Sequence, residues 1–268
     1  MVEAGLRARL KNRMVTLSVT LNFFQAGLAE FLADSGFDCI VLDGEHGPLP
    51  DAEVENVVRA SQLGGAATLL RLPVHGPSFE RYLDIGVTGL QLPQVDSPSQ
   101  VSTTLRAVKF PPLGKRGSGT YRAGHYALPP GGWARFTEAA NEASVIVIHI
   151  ESKRGIDALP GLLRMEDLDA VVIGHQDLAM DLGHPGDATH PDVAAAIRHI
   201  ADLVIASGKA LGMAAGTAED ATKAIDLGAT YLVTSTVALL RNGAGPLLSA
   251  LSKSSQPALE SGETSSGS

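Results

Sequence analysis

At 268 residues the chain exceeds a typical domain of about 100 to 200 residues but suits the roughly 250 that an α/β barrel uses as one unit. With 44% hydrophobic and 19% charged residues it has enough apolar surface to offset chain entropy, which excludes wholesale disorder. A net charge of -8, from 21 Lys+Arg against 29 Asp+Glu, leaves no basic surplus to neutralise a phosphate backbone or an anionic membrane, so neither nucleic acid nor membrane is expected as a partner. The one cysteine, Cys39, excludes an internal disulfide framework and, set in an apolar run, reads as a buried inert thiol. No stretch approaches the ~20 apolar residues of a membrane helix. Met1 to Arg13 reads as a charged amphipathic helix without a signal-peptide centre, and a cytoplasmic location is the default expectation.

Parallel strands buried on both faces read as short continuous apolar runs, and the crossover helices between them as longer segments of 3.6 period. Eight such runs follow in chain order: Met14 to Thr20, Phe37 to Asp43, Ala66 to Arg71, Thr88 to Leu92, Ser144 to Ile150, Asp169 to Gly174, Ala210 to Ala214 and Thr230 to Ser235. Helical patterns lie between them, such as Asp51 to Gln62 after Pro50, and Pro191 to Ala206 with Gly208 just past its end. Eight β-then-α units predict a closed (β/α)8 TIM barrel over residues 1–251, with a doubly wound open sheet as the alternative. The Gly/Pro-dense segment Lys109 to Gly132 is expected on the catalytic face, following the fourth strand. Residues 252–268, rich in Ser, Gly and Glu, read as a disordered tail.

In such a barrel reactive groups stand at the C-terminal ends of strands. Glu151 follows a strongly apolar strand, and Asp177 ends the next unit. Their alternatives are a salt bridge to Lys153 or Arg154 for Glu151 and a helix N-cap for Asp177. Adjacent strand ends lie ~5 Å apart, so the two carboxylates can converge, and like charges so close need a proton or a cation between them. Two hard oxygen ligands suit Mg²⁺ or Mn²⁺, with Co²⁺ as a further option. Arg71 is either an ordinary strand-end ion pair or an oxyanion stabiliser beside that metal. His46 is a candidate base, or else a hydrogen-bonded loop histidine. His75, His184, His190 and His199 read as surface or loop residues, and His125 in the long loop is left open. No lysine stands at a predicted strand end, which disfavours a Schiff-base mechanism.

The strings FDCIVLDGEHGP (37–48), LDIGVTGLQLP (83–93), FPPLGKRG (110–117), VIHIES (147–152) and VIGHQDLAMDLG (172–183) followed by His190-Pro191 resemble the HpcH/HpaI aldolases, the metal-dependent class II pyruvate aldolases. The resemblance runs in order over roughly residues 5 to 245. It implies a (β/α)8 barrel and a homo-oligomer, often a hexamer exchanging a C-terminal helix. It also implies that Glu151 and Asp177 bind the metal, which chelates the carboxylate and keto oxygen of pyruvate, and that Arg71 stabilises the enolate. His46, oriented by Asp84, would serve proton transfer at the hydroxyl being cleaved. Backbone amides around Gly174, His175, Gln176 and Asp177 would bind the substrate carboxylate, in keeping with the anion preference of helix N-termini.

The chain also departs from the family pattern. His149 stands where the family usually has Gln, on the same strand face as Glu151, and Gly174-His175-Gln176-Asp177 replaces the usual Gly-Pro-small-Asp. Both changes fall in the expected substrate shell. The leading expectation is therefore a carbon-carbon lyase releasing pyruvate, or a related 2-oxo acid, and an aldehyde from a small anionic 4-hydroxy-2-oxo acid. A biosynthetic, citrate-synthase-like condensing enzyme of the same family and a non-catalytic barrel binding metal and a 2-oxo acid are the alternatives. With Arg71, a bound cation would make the pocket locally positive.

Overall fold

The computed structural model describes residues 5–49, 51–73 and 79–254. Eight parallel strands close on themselves in sequence order. They are β1 (Thr16–Leu21), β2 (Cys39–Asp43), β3 (Ala67–Arg71), β4 (Gly89–Leu92), β5 (Val145–Ile150), β6 (Ala170–Ile173), β7 (Ala210–Ala214) and β8 (Tyr231–Ser235). Each lies inside one of the predicted runs or overshoots it by a single residue. Closure comes from β1 pairing with both β2 and β8, which removes the free edges that an open sheet would leave.

The helices are α1 (Leu6–Lys11), α2 (Ala26–Asp34), α3 (Asp51–Leu63), α4 (Phe79–Ile85), α5 (Pro98–Val108), α6 (Gly132–Ala143), α7 (Lys153–Leu162), α8 (His175–Asp181), α9 (Pro191–Ala206), α10 (Ala218–Asp226) and α11 (Thr236–Ser254). Local chemistry sets several starts. Ser97 and Gln100 form a capping box around Pro98 at α5, Thr217 and Asp220 form one at α10, and Ser152 caps α7 through the N–H of Gly155. After α9 the chain turns through Gly208 at φ +80°, a left-handed conformation that glycine takes without a Cβ clash. The predicted tail begins at Ser252, but α11 continues to Ser254; the remainder, like His75, lies outside the described residues.

Strand alternation divides the apolar residues between two cores. Ile40, Leu42, Leu70, Leu90, Ile146, Ile148 and Val171 face outward under the helices, whereas Cys39, Val41, Leu69, Val145, Val147, Val172 and Tyr231 fill the barrel interior. Leu6 and Leu10 of α1 belong to the interior set, so this short helix plugs the N-terminal end of the barrel. Arg7 ties the plug down through Asp167 at 2.7 Å and Asp169 at 2.9 Å. Cys39 is fully buried, and burial pushes its thiol to about 12, in agreement with an inert role. No helix of the described residues is long and apolar enough to cross a membrane.

The Lys109–Gly132 segment is not on the catalytic face. Helix α5, which stands between β4 and this segment, returns the chain to the N-terminal end of the barrel. There Arg122 donates to the carbonyl of Ile85, and Arg116 and His125 line a cavity with Thr88 and Ser144, the residues just before β4 and β5.

Candidate active site

Alternation along β2, β3 and β4 points Asp43, Arg71 and Gln91 inward at one level, because these residues are register partners across the three strands. Arg71 makes a forked pair with Asp43, Nε to Oδ1 at 3.0 Å and Nη2 to Oδ2 at 2.7 Å. Asp43 also accepts the backbone N–H groups of Glu45 and His46, so one carboxylate both anchors the guanidinium and shapes the turn after β2. Burial raises the Asp43 carboxyl, but the hydrogen bonds and charge of Arg71 and the two N–H donors outweigh it, and its pKa lies below the ordinary value.

Gly44 packs against Leu72 and Gly47 against the Asp43 carbonyl so closely that a Cβ at either would overlap, and this compact turn carries Glu45 and His46. Glu45 Oε2 stands 3.5 Å from both Arg71 Nε and His46 Nε2. Its side chain is 8% exposed while that of His46 is 65% exposed, so Glu45 is the inner group and His46 the rim group. Burial, reinforced by the charge of Glu151, raises the Glu45 carboxyl above its ordinary value despite Arg71 and His46.

Glu151, directly after β5, is buried with its Oε1 accepting the N–H of Gln94 at 2.6 Å and its Oε2 3.5 Å from His149 Nδ1. Gln94 adopts φ +54°, an uncommon conformation for a residue with a Cβ, and this aims its N–H at Glu151 while its side-chain amide reaches Glu45 Oε1 at 3.3 Å. Burial pushes the Glu151 carboxyl up, but His149, the Gln94 N–H and Arg71 together hold it below the ordinary range. Neither Lys153 nor Arg154 pairs with Glu151, since the Arg154 guanidinium approaches Asp96. Gly174 makes the necessary room, because a Cβ there would meet Glu151 Oε2 at 2.5 Å and its Cβ at 2.8 Å.

Asp177 lies in the first turn of α8, whose N-cap is Gly174, so the N-cap alternative for Asp177 does not apply. Its carboxylate makes no hydrogen bond or ion pair with other described residues, and it shares one cavity of about 720 Å³ with Arg71, His149, Glu151, His175 and Gln176. Half-buried His175 is held below the ordinary histidine value by burial, which favours its neutral form. Two oxygen donors on consecutive β/α units, one buried and one without a protein partner, open onto the same cavity. That donor set fits a hard divalent cation that keeps positions open for a chelating ligand.

The expected pairing of Asp84 with His46 is not found. Asp84 sits near the end of α4, which leads into the N-terminal end of β4, and it pairs with Arg116 at 2.9 Å; the carboxylate beside His46 is Glu45. Lysine is also absent from the strand ends among the described residues. Lys223 enters the cavity wall from α10 and pairs with Glu219 at 2.7 Å, and Lys109 is buried at the opposite end against the carbonyl of Asn141. His184, His190 and Asp192 cluster at the start of α9, but the two rings stack at 3.4 Å with planes 13° apart, so their in-plane lone pairs cannot meet at one ion. His190 Nδ1 accepts the Asp192 N–H there, which makes it a helix cap.

The HpcH/HpaI aldolase/citrate lyase family model matches residues 19–236. The chain is 34% identical over 205 residues to a 5-keto-4-deoxy-D-glucarate aldolase of Salmonella paratyphi C, covering 76% of this chain and 78% of that protein. A crystal structure of an HpcH/HpaI aldolase/citrate lyase family protein from Burkholderia cenocepacia superposes with a TM-score of 0.84 at 27% identity, covering 92% of this chain and 98% of the other. An HpcH/HpaI aldolase from Desulfitobacterium hafniense gives 0.84 at 26% identity, with 93% and 97% covered. Strand ends, inward carboxylates and sequence likeness all converge on one assignment: the chain belongs to the HpcH/HpaI aldolase/citrate lyase family, and it is a carbon-carbon lyase of the class II aldolase type.

Proposed function

We propose that the chain cleaves a small anionic 4-hydroxy-2-oxo acid, of the kind named for its 5-keto-4-deoxy-D-glucarate aldolase relatives, into pyruvate or a related 2-oxo acid and an aldehyde. The observation that carries this reading is the meeting of Glu151, Asp177 and Arg71 in one cavity. Glu151 and Asp177 would hold Mg²⁺ or Mn²⁺, which when bound supplies Lewis-acid polarisation of the 2-oxo group.

The rest of the chemistry belongs to side chains and backbone. Breaking the C3–C4 bond leaves an electron pair that delocalises onto the keto oxygen, and Arg71, held by Asp43, presents its remaining N–H donors to that developing charge. A base must remove the C4 hydroxyl proton, and His46, exposed at the rim with the buried Glu45 carboxylate 3.5 Å away, serves it. No side chain caps α8, so the N–H groups of its first turn are open to the substrate carboxylate.

Methyl-proton exchange of pyruvate in D₂O, followed by NMR, tests the reading. Exchange that requires a divalent metal and disappears in Glu151→Ala supports it. No exchange with pyruvate or oxaloacetate under Mg²⁺, Mn²⁺ or Co²⁺ refutes it.

A further inference from the structure

Behind the carboxylate Glu151 a buried polar chain crosses the barrel interior. The Tyr231 hydroxyl donates to Gln91 Oε1 at 3.2 Å, the Gln91 amide nitrogen lies 2.8 Å from His149 Nε2, and His149 Nδ1 faces Glu151 Oε2 at 3.5 Å. All four side chains are buried; Tyr231 is 0% and Gln91 1% exposed. Gly212 lets the Tyr231 ring reach across, because a Cβ there would stand 3.1 Å from Tyr231 Cδ1.

With the His149 ring neutral, the chain has one self-consistent direction. An amide NH₂ only donates, so with Tyr231 donating to Oε1 the Gln91 nitrogen requires a lone pair on His149 Nε2. In the neutral ring the proton then resides on Nδ1, where it faces the carboxylate. Reversing the Gln91 amide would place the proton on Nε2 and turn a nitrogen lone pair toward the Glu151 oxygen, which is repulsive in a buried site.

We propose that His149 is a positioning residue, locked as the Nδ1–H tautomer by Gln91 and Tyr231, which orients Glu151 Oε2 for the divalent metal. The inference rests on the reading of Glu151 as a metal ligand and extends it to a support that a family-typical Gln at position 149 would supply differently. Groups that orient a metal ligand from behind alter metal affinity by about 10- to 100-fold when removed.

The test has two readouts besides turnover. In metal-free protein in mildly alkaline buffer, long-range ¹H–¹⁵N spectra of the histidine rings, with the signal assigned by its loss in His149→Gln, should show a pyrrole-type Nδ1 and a pyridine-type Nε2. Gln91→Leu, which leaves His149 in place, should abolish that preference. Mn²⁺ binding followed by electron paramagnetic resonance should weaken about 10- to 100-fold in His149→Leu and in Gln91→Leu, and recover in His149→Gln, whose amide can again donate to Glu151. An Nε2–H tautomer in the unmodified protein overturns the proposal, as does unchanged Mn²⁺ affinity in both leucine variants. Failure of the unmodified protein to bind Mn²⁺ at all overturns the metal reading and this inference with it, so the two failures are distinct.

Discussion

Gly174→Ala tests how tightly the position of Glu151 is set. The alanine Cβ would stand 2.5 Å from Glu151 Oε2 and 2.8 Å from Glu151 Cβ, whereas ordinary contacts begin at 3.4 Å. The carboxylate oxygen must therefore retreat by about 0.9 Å and the Cβ by about 0.6 Å in an interior packed like a crystal. The Cβ has little freedom, because it follows directly on Ile150, which is paired with Ile173, and the other carboxylate oxygen is tied to the Gln94 N–H. Backbone strain does not contribute, since φ -85° and ψ 82° at Gly174 are open to alanine. Overpacking of this size costs about 1 to 3 kcal/mol of stability, and a misplacement near 1 Å at a reacting centre costs about 10²-fold in rate. The expected result is a folded protein, by circular dichroism and a thermal melt shifted by a few degrees per kcal/mol, with kcat for a 4-hydroxy-2-oxo acid reduced about a hundredfold. A folded variant with undiminished kcat would refute the reasoning.

Arg71→Lys keeps the charge but loses the fork to Asp43; kcat should fall about 10²- to 10³-fold by steady-state kinetics, with a smaller change in KM. His46→Ala should lower the cleavage rate about 10²- to 10⁴-fold while leaving the melting temperature nearly unchanged, because the ring is exposed. Asp43 has a folded-state pKa below its ordinary 3.8, so its ionised form adds stability above that value, and the contribution is lost as pH falls through the lowered one. Melting temperature against pH should accordingly show a shallower acid limb in Asp43→Asn than in the unmodified chain.

The barrel was legible because each strand is buried on both sides and reads as an apolar run, with Gly or a cap nearby to close the following helix. The segment after β4 was misplaced because α5, amphipathic but opened by the polar run Ser97-Pro98-Ser99-Gln100, carries too few large apolar residues to stand out as a helix. That Glu151 and Asp177 share one cavity was legible from a carboxylate ending an apolar strand and its counterpart one unit later. Asp84 was carried over by resemblance alone, and only geometry could show that its partner within the chain is Arg116. Gln94 left no signal, since it acts through a backbone N–H at an unusual φ that its residue type does not announce. Gln91 and Tyr231 lie 140 positions apart and meet only across the closed barrel.

The charges of the site show that the expected locally positive pocket depends on the bound cation and not on Arg71 alone. Asp43, Glu45, Glu151 and Asp177 gather around a single guanidinium, and Arg71 is already forked onto Asp43. Protein groups alone therefore repel a 2-oxo acid: at an effective dielectric near 20, each like-charge approach to about 5 Å costs roughly 3 kcal/mol. Two features lessen the conflict without removing it. Burial and Glu151 favour protonation of Glu45, and the His149 N–H together with the Gln94 N–H keeps Glu151 ionised, so the carboxylate retained as an anion is the one proposed to hold the metal. A divalent cation held by Glu151 and Asp177 would reverse the sign where the substrate must bind, leaving the remaining Arg71 donors for the charge that develops on the keto oxygen. On this argument metal and substrate bind in a linked order: substrate affinity should rise with metal occupancy, and Asp177→Asn should weaken both together.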